Sequence, residues 1–172
     1  RLLFIAGLVL AGTATYAFVL RRAGAAAGAL AAVLYVYSPY LGLTAPYVLG
    51  DLTRVIGLAL LPALLWSVSR LLLVNRPLDF GLVALMSAGL LLTDVRLTLV
   101  GAGLALLLIG WDGRAGVRRV YGRLALIAGA GGALLAAFFW LPALLERDAV
   151  TWLPAPFEPA TWPLHWLDLL RP

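Results

Sequence analysis

Residues 78–110 read LDFGLVALMSAGLLLTDVRLTLVGAGLALLLIG, an apolar run interrupted by charge only at Asp79, Asp94 and Arg96. One helix over these 33 residues would be roughly 50 Å long, against a bilayer hydrocarbon core of about 30 Å. The run therefore divides at Asp94 and Arg96 into two short helices, 78–93 and 97–110, joined by a tight turn. Successive apolar helices that double back in this way define an all-α bundle whose solvent is lipid.

Working outward, four more apolar segments are separated by charge or Pro/Gly signals: 2–20, 24–43, 52–69 and 124–145. Together they give a polytopic transmembrane helical bundle of about six spans. Composition demands such a solvent, because 63% of the 172 residues are hydrophobic and 12% charged, against roughly 25% charged in a soluble domain. Folded in water, a chain this short buries about 70% of its surface, and apolar atoms already supply over half of the rest. Pro62 and Pro142 lie inside the third and sixth spans, where each removes a backbone hydrogen bond and bends the helix. Gly24-x-x-x-Gly28, Ala27-x-x-x-Ala31 and Gly129 to Gly132 supply small residues for close packing between spans of the same chain.

Loop charge sets the orientation. Alternate loops fall into two groups, one holding Arg21, Arg22, Arg70, Arg76, Arg114, Arg118, Arg119 and Arg123 with only Asp79 and Asp112, net +6. The other holds five arginines and six acids, net −1, including Asp51, Arg54, Asp94, Arg96 and Glu146-Arg147-Asp148. Cytoplasmic loops carry the arginine excess, so both ends face away from the cytoplasm. The transmembrane core is then 1–148. Residues 149–172 interleave Pro154, Pro156, Pro159 and Pro163 with Trp152, Phe157, Trp162 and Trp166, an outer interfacial segment in which 162–170 can form a short helix on the membrane surface. The chain opens on Arg1 and an apolar run and ends on Arg171-Pro172, which reads as an internal fragment with further spans in a longer chain.

Chemistry is sparsely marked. There is no cysteine and a single histidine, His165, so no metal site and no cofactor is expected. No Walker loop, dinucleotide fingerprint, zincin helix or nucleophile elbow is present. Nucleic acid is not an expected partner, since the arginines are spread over three loops rather than gathered in one groove. The candidate binding residues are Asp51, Arg54, Asp94 and Arg96. Asp51 and Arg54 share one side of the third span's first turn, where an acid also suits the helix dipole. The helices flanking Asp94 and Arg96 are only about 24 and 21 Å long. Their turn therefore sits below the outer surface, where charged groups face a hydrated cavity or a partner. Local thinning of the bilayer around a solvated turn is the competing account.

The order of local signals resembles the bacterial membrane proteins called 6-pyruvoyl-tetrahydropterin-synthase-related, which look like GT-C-type glycosyltransferases. The stretches that carry the resemblance are Tyr16-Ala-Phe-Val-Leu-Arg-Arg, Leu34-Tyr-Val-Tyr-Ser-Pro-Tyr, Gly50-Asp-Leu-Thr-Arg and Leu60-Leu-Pro-Ala-Leu-Leu-Trp. Leu92-Thr-Asp-Val-Arg and Ala137-Phe-Phe-Trp-Leu-Pro-Ala-Leu-Leu-Glu-Arg-Asp complete the series. The resemblance implies a membrane core that transfers sugar from a polyprenyl-phosphate donor on the outer face of the plasma membrane. It implies no pterin chemistry. The catalytic acid of such proteins lies in a first outer loop that would precede Arg1, so no catalytic residue is assigned. Arg54 or Arg96 would meet the donor phosphate bidentately. The alternative is a transporter or flippase-like protein in which the same charges line a route through the bilayer, although the chain shows no internal repeat and its charges gather at one face. A scaffold that assembles with partner spans is a third reading.

Overall fold

The computed structural model describes residues 2–74, 76–111 and 115–145. The expected interfacial segment 149–172 and the Glu146-Arg147-Asp148 cluster lie outside these residues. The chain is all-α, with no strand among the described residues: α1 (Leu2–Val36), a π-helical segment Tyr40–Leu49, α2 (Leu52–Leu73), α3 (Pro77–Thr93), α4 (Val95–Trp111), α5 (Ala115–Leu135) and α6 (Ala137–Leu145). Residues up to Phe139 form one compact unit, and a second begins at Trp140.

Two helices, Leu2–Val36 and Leu52–Leu73, are long and apolar enough to cross a membrane, and Pro77–Thr93, Val95–Trp111 and 120–135 are shorter apolar helices. The first of these is not one rod. At Gly24 the backbone takes φ 87° and ψ 175°, a region open essentially to glycine alone. Beyond it the chain folds back: a Cβ added at Gly28 would lie 3.2 Å from both Leu20 N and Tyr16 O, and one at Gly12 would lie 3.1 Å from Val36 Cγ2. The pairs 20/28 and 12/36 are symmetric about Gly24, so α1 is an antiparallel hairpin with arms 2–23 and 25–36. Gly24 is therefore the hinge, and Gly28 is where the arms touch.

The core gathers around α2, which packs on α1, α3, α4, α5 and the π-helical segment. Its buried residues, from Val55 through Ala63, Leu64 and Val68 to Leu72, run round the whole helix. Two clusters result. Val55 and Ala59 meet Ala11, Leu41 and Ala45 at one end, while Leu64, Val68, Leu71 and Leu72 meet Val83, Leu90, Leu108, Ala125 and Ala128 along the rest. A Cβ at Gly57 would touch Thr93 and Leu97, and one at Gly101 would touch Leu64 and Leu90. α3 thus runs antiparallel to α2, α4 returns parallel to it, and the expected turn between them consists of Asp94 alone. Small residues govern close approach elsewhere as well, since a Cβ at Gly132 would collide with Ala84 O, Ser87 Cβ and Ala88 N of α3.

The structure departs from the expected segments at two places. The apolar run 24–43 does not stay α-helical, because the α-helix ends at Val36 and a π-helical segment follows. Pro39 disfavours the α conformation just before it. The run 124–145 begins earlier, within α5, and is divided at Ala136 from α6.

Candidate functional site

α2 begins because Asp51 can cap it. The residue is extended (φ −88°, ψ 91°), and its Oδ1 accepts from Thr53 Oγ1 at 2.6 Å and from Arg54 N at 3.0 Å. The second of these satisfies one of the free N–H groups at a helix start. Together they, the threonine hydroxyl foremost, hold the Asp51 carboxyl below the usual carboxylate range. Three residues on, Arg54 turns back so that its Nε lies 3.6 Å from Asp51 Oδ2. Its Nη1 donates to the Tyr40 hydroxyl at 2.9 Å.

Asp94 does the same work for α4. Also extended (φ −158°, ψ 116°), it donates its N–H to Leu90 O at 2.9 Å. Its Oδ1 accepts from Arg96 N at 2.7 Å and Leu97 N at 3.4 Å. Thr98 Oγ1 closes the turn on Asp94 O at 2.9 Å. The local account of both acids is therefore helix capping. The Arg96 side chain is exposed and meets no hydrogen-bond or ion-pair partner among the described residues.

Arg54, Asp94 and Arg96 line one cleft of about 300 Å³ together with Tyr40, over an apolar lining of Leu58, Leu97 and Val100. Asp51 is not part of the lining and reaches the cleft only through Arg54. Sequence reasoning misses Tyr40, because a single span over 24–43 carries it along the membrane. The signal was Ser38-Pro39 directly before it. The cleft is rich in hydrogen-bond donors: Arg54 retains N–H groups beyond the one given to Tyr40, Arg96 offers all five, and the Asp94 carboxylate has already spent Oδ1 on backbone. Such a site suits an oxyanion with many acceptor oxygens. No group of three or more metal-ligating side chains exists among the described residues.

A second cavity, of about 250 Å³, lies between α2, α3, α4 and α5; it is apolar except for Ser87 and Thr98. At the other end of the bundle, Arg70 Nε lies 2.8 Å from Oδ1 of the fully buried Asp79, although the N–H does not point along the contact. Arg76 N donates to Asp79 Oδ2 at 3.3 Å, and the Arg70 guanidinium stacks 5.0 Å over Trp66. In the connection expected to carry these charges, they fasten the end of α2 to the start of α3. No family model, curated protein or solved structure matches the chain.

Proposed function

We propose that this chain is the membrane core of an envelope glycosyltransferase that draws its sugar from a polyprenyl-phosphate donor at the outer face of the bacterial plasma membrane. In this reading the helices cross the bilayer about six times in a GT-C-like bundle, with both ends of the chain outside. The loop charges of +6 and −1 support that orientation, and the family resemblance supports the reaction.

The observation that carries the reading is the convergence of Arg54, Arg96 and Tyr40 on one cleft at the acid-bearing end of the bundle. A planar guanidinium matches two phosphate oxygens at once, and two of them near a membrane surface suit a lipid phosphate. The apolar lining by Leu58, Leu97 and Val100 favours a site that ends in the bundle over the route through it that a transporter needs. The test is sugar transfer from a polyprenyl-phosphate donor by the full-length protein. Arg54→Ala and Arg96→Ala should each lower transfer at least tenfold, by loss of a charge-assisted hydrogen bond, while the protein stays inserted and monodisperse. Full activity in the double substitution would remove the basis for the assignment.

A further inference from the structure

We propose that Tyr40 is a ligand-binding residue of the cleft, its hydroxyl donating to an oxygen of a phosphate group held between Arg54 and Arg96. The inference rests on the cleft as the binding site and does not require sugar transfer. A guanidinium only donates, so in the 2.9 Å contact with Arg54 Nη1 the tyrosine oxygen is the acceptor. That leaves the hydroxyl proton, which meets no acceptor among the described residues. Tyr40 is 44% exposed and lines the cleft with both arginines, so the proton is available to whatever enters.

The backbone under Tyr40 fixes it there. It is the first residue of the π-helical segment, and the next turn is anchored by the buried Leu41 and Ala45 against Ala11, Val55 and Ala59. Thr44 Oγ1 donates to Pro39 O at 3.2 Å, and Asp51 N donates to Ala45 O at 3.1 Å, which ties the segment to the start of α2. π-helical turns recur at functional sites because they re-aim a side chain that a regular helix would carry elsewhere. The charges also define the ligand. Arg54 and Arg96 are balanced formally by Asp51 and Asp94, so long-range attraction is weak and recognition depends on matching donors. An ionised phosphate brings several charged acceptor oxygens to these donors and fits; a neutral sugar lacks the charge and an ammonium group lacks the acceptors.

The experiment is a binding titration of the full chain in nanodiscs, using inorganic phosphate, hexyl phosphate and hexanol as probes. Hexyl phosphate should bind and hexanol should not. Tyr40→Phe keeps the ring and removes the hydroxyl, and should weaken hexyl phosphate about tenfold or more, the effect of losing one hydrogen bond to a charged group. Arg96→Gln should weaken it by at least as much. Tighter binding of hexyl phosphate than of inorganic phosphate identifies a lipid-borne ligand, and equal binding identifies a soluble phosphate; either supports the site. A second measurement does not depend on the variant folding: 3-fluorotyrosine at position 40 should shift its fluorine resonance with hexyl phosphate and not with hexanol. An unmoved resonance, or Tyr40→Phe affinity within twofold of the parent, would overturn the proposal. Binding that survives in a protein without transferase activity would leave Tyr40 in place and refute only the enzymatic reading.

Discussion

Replacing Gly24 by alanine isolates a backbone effect, because a Cβ at this position would meet nothing within 4 Å. The cost arises from φ 87° and ψ 175°, a conformation that costs a non-glycine residue about 1–3 kcal/mol. The same substitution favours an unbroken helix through 2–36 by about 1 kcal/mol of helix propensity. The balance between hairpin and straight rod should therefore move by about 2–4 kcal/mol. Opposing it are the contacts between the arms at Gly12 and Gly28 and the Tyr35 hydroxyl, which donates to Leu58 O of α2 at 2.8 Å. Spin labels at Thr13 and Val33 report the outcome. They sit on facing arms of the hairpin, within about 20 Å at ordinary helix spacing plus label length. Along a continuous helix they would be about 30 Å apart. Gly24→Ala should add a long-distance population and lower resistance to SDS unfolding by about 1–3 kcal/mol. D-alanine introduced by semisynthesis prefers positive φ and should restore the parent distances. If L-alanine leaves both distance and stability unchanged, the strain argument for the hinge is wrong.

Gly132→Ala should push α5 away from Ala84 and Ser87 and cost about 1–3 kcal/mol by overpacking, measured as SDS resistance, whereas Gly103→Ala, with open space around it, should be neutral or stabilising. Arg70→Met strands the fully buried Asp79 carboxylate without its guanidinium partner and should cost about 3–5 kcal/mol; an Arg70→Met, Asp79→Leu pair should recover most of that loss. The Asp51 cap should be pH-sensitive: its pKa is lowered in the fold, so its contribution is complete above the unfolded value of about 3.9 and is lost as pH falls through the folded value. Amide exchange at Thr53 and Arg54 should accelerate only in that acid range, whereas Asp51→Asn, which keeps a capping oxygen, should hold it slow and remove the pH step.

What was legible in the sequence was whatever a length or a charge could mark. The turn at Asp94 follows from a run too long for one span, the Gly24 reversal from Arg21-Arg22 next to a glycine, and the start of α2 from Asp51. The π-helical segment escaped because residues 24–43 are apolar throughout and hydropathy does not distinguish i→i+5 from i→i+4 bonding. The break at Ala136 escaped for the same reason. Contact faces were also hidden: in a helix that is apolar on every side, no amphipathic period separates the buried stripe from the exposed one. Only glycines such as Gly28 and Gly132 gave a contact away, by permitting an approach that a Cβ would block. Burial of Asp79 was invisible because an acid two residues after a helix-initiating proline reads equally well as a solvated first-turn residue.

The two acids of the candidate site deserve a different reading from the two arginines. Asp51 is a candidate through its place beside Arg54 and Asp94 through charge at membrane depth, yet each has an oxygen committed to backbone N–H groups. A carboxylate fixed this way with a lowered pKa, as at Asp51, is a weak proton acceptor and a poor general base. What capping does achieve is position. By starting α2, Asp51 sets Arg54 on its first turn beside Tyr40, and by starting α4, Asp94 sets Arg96 two residues on, against the same cleft. In the proposed site the acids then act as positioning residues and the arginines as the binding ones, which gives the substitutions opposite signatures. Asp94→Asn retains an oxygen that can cap α4 and should leave phosphate binding nearly intact, whereas Asp94→Ala should loosen the turn and weaken binding through Arg96. Equal loss in both variants would mean that the carboxylate charge itself meets the ligand.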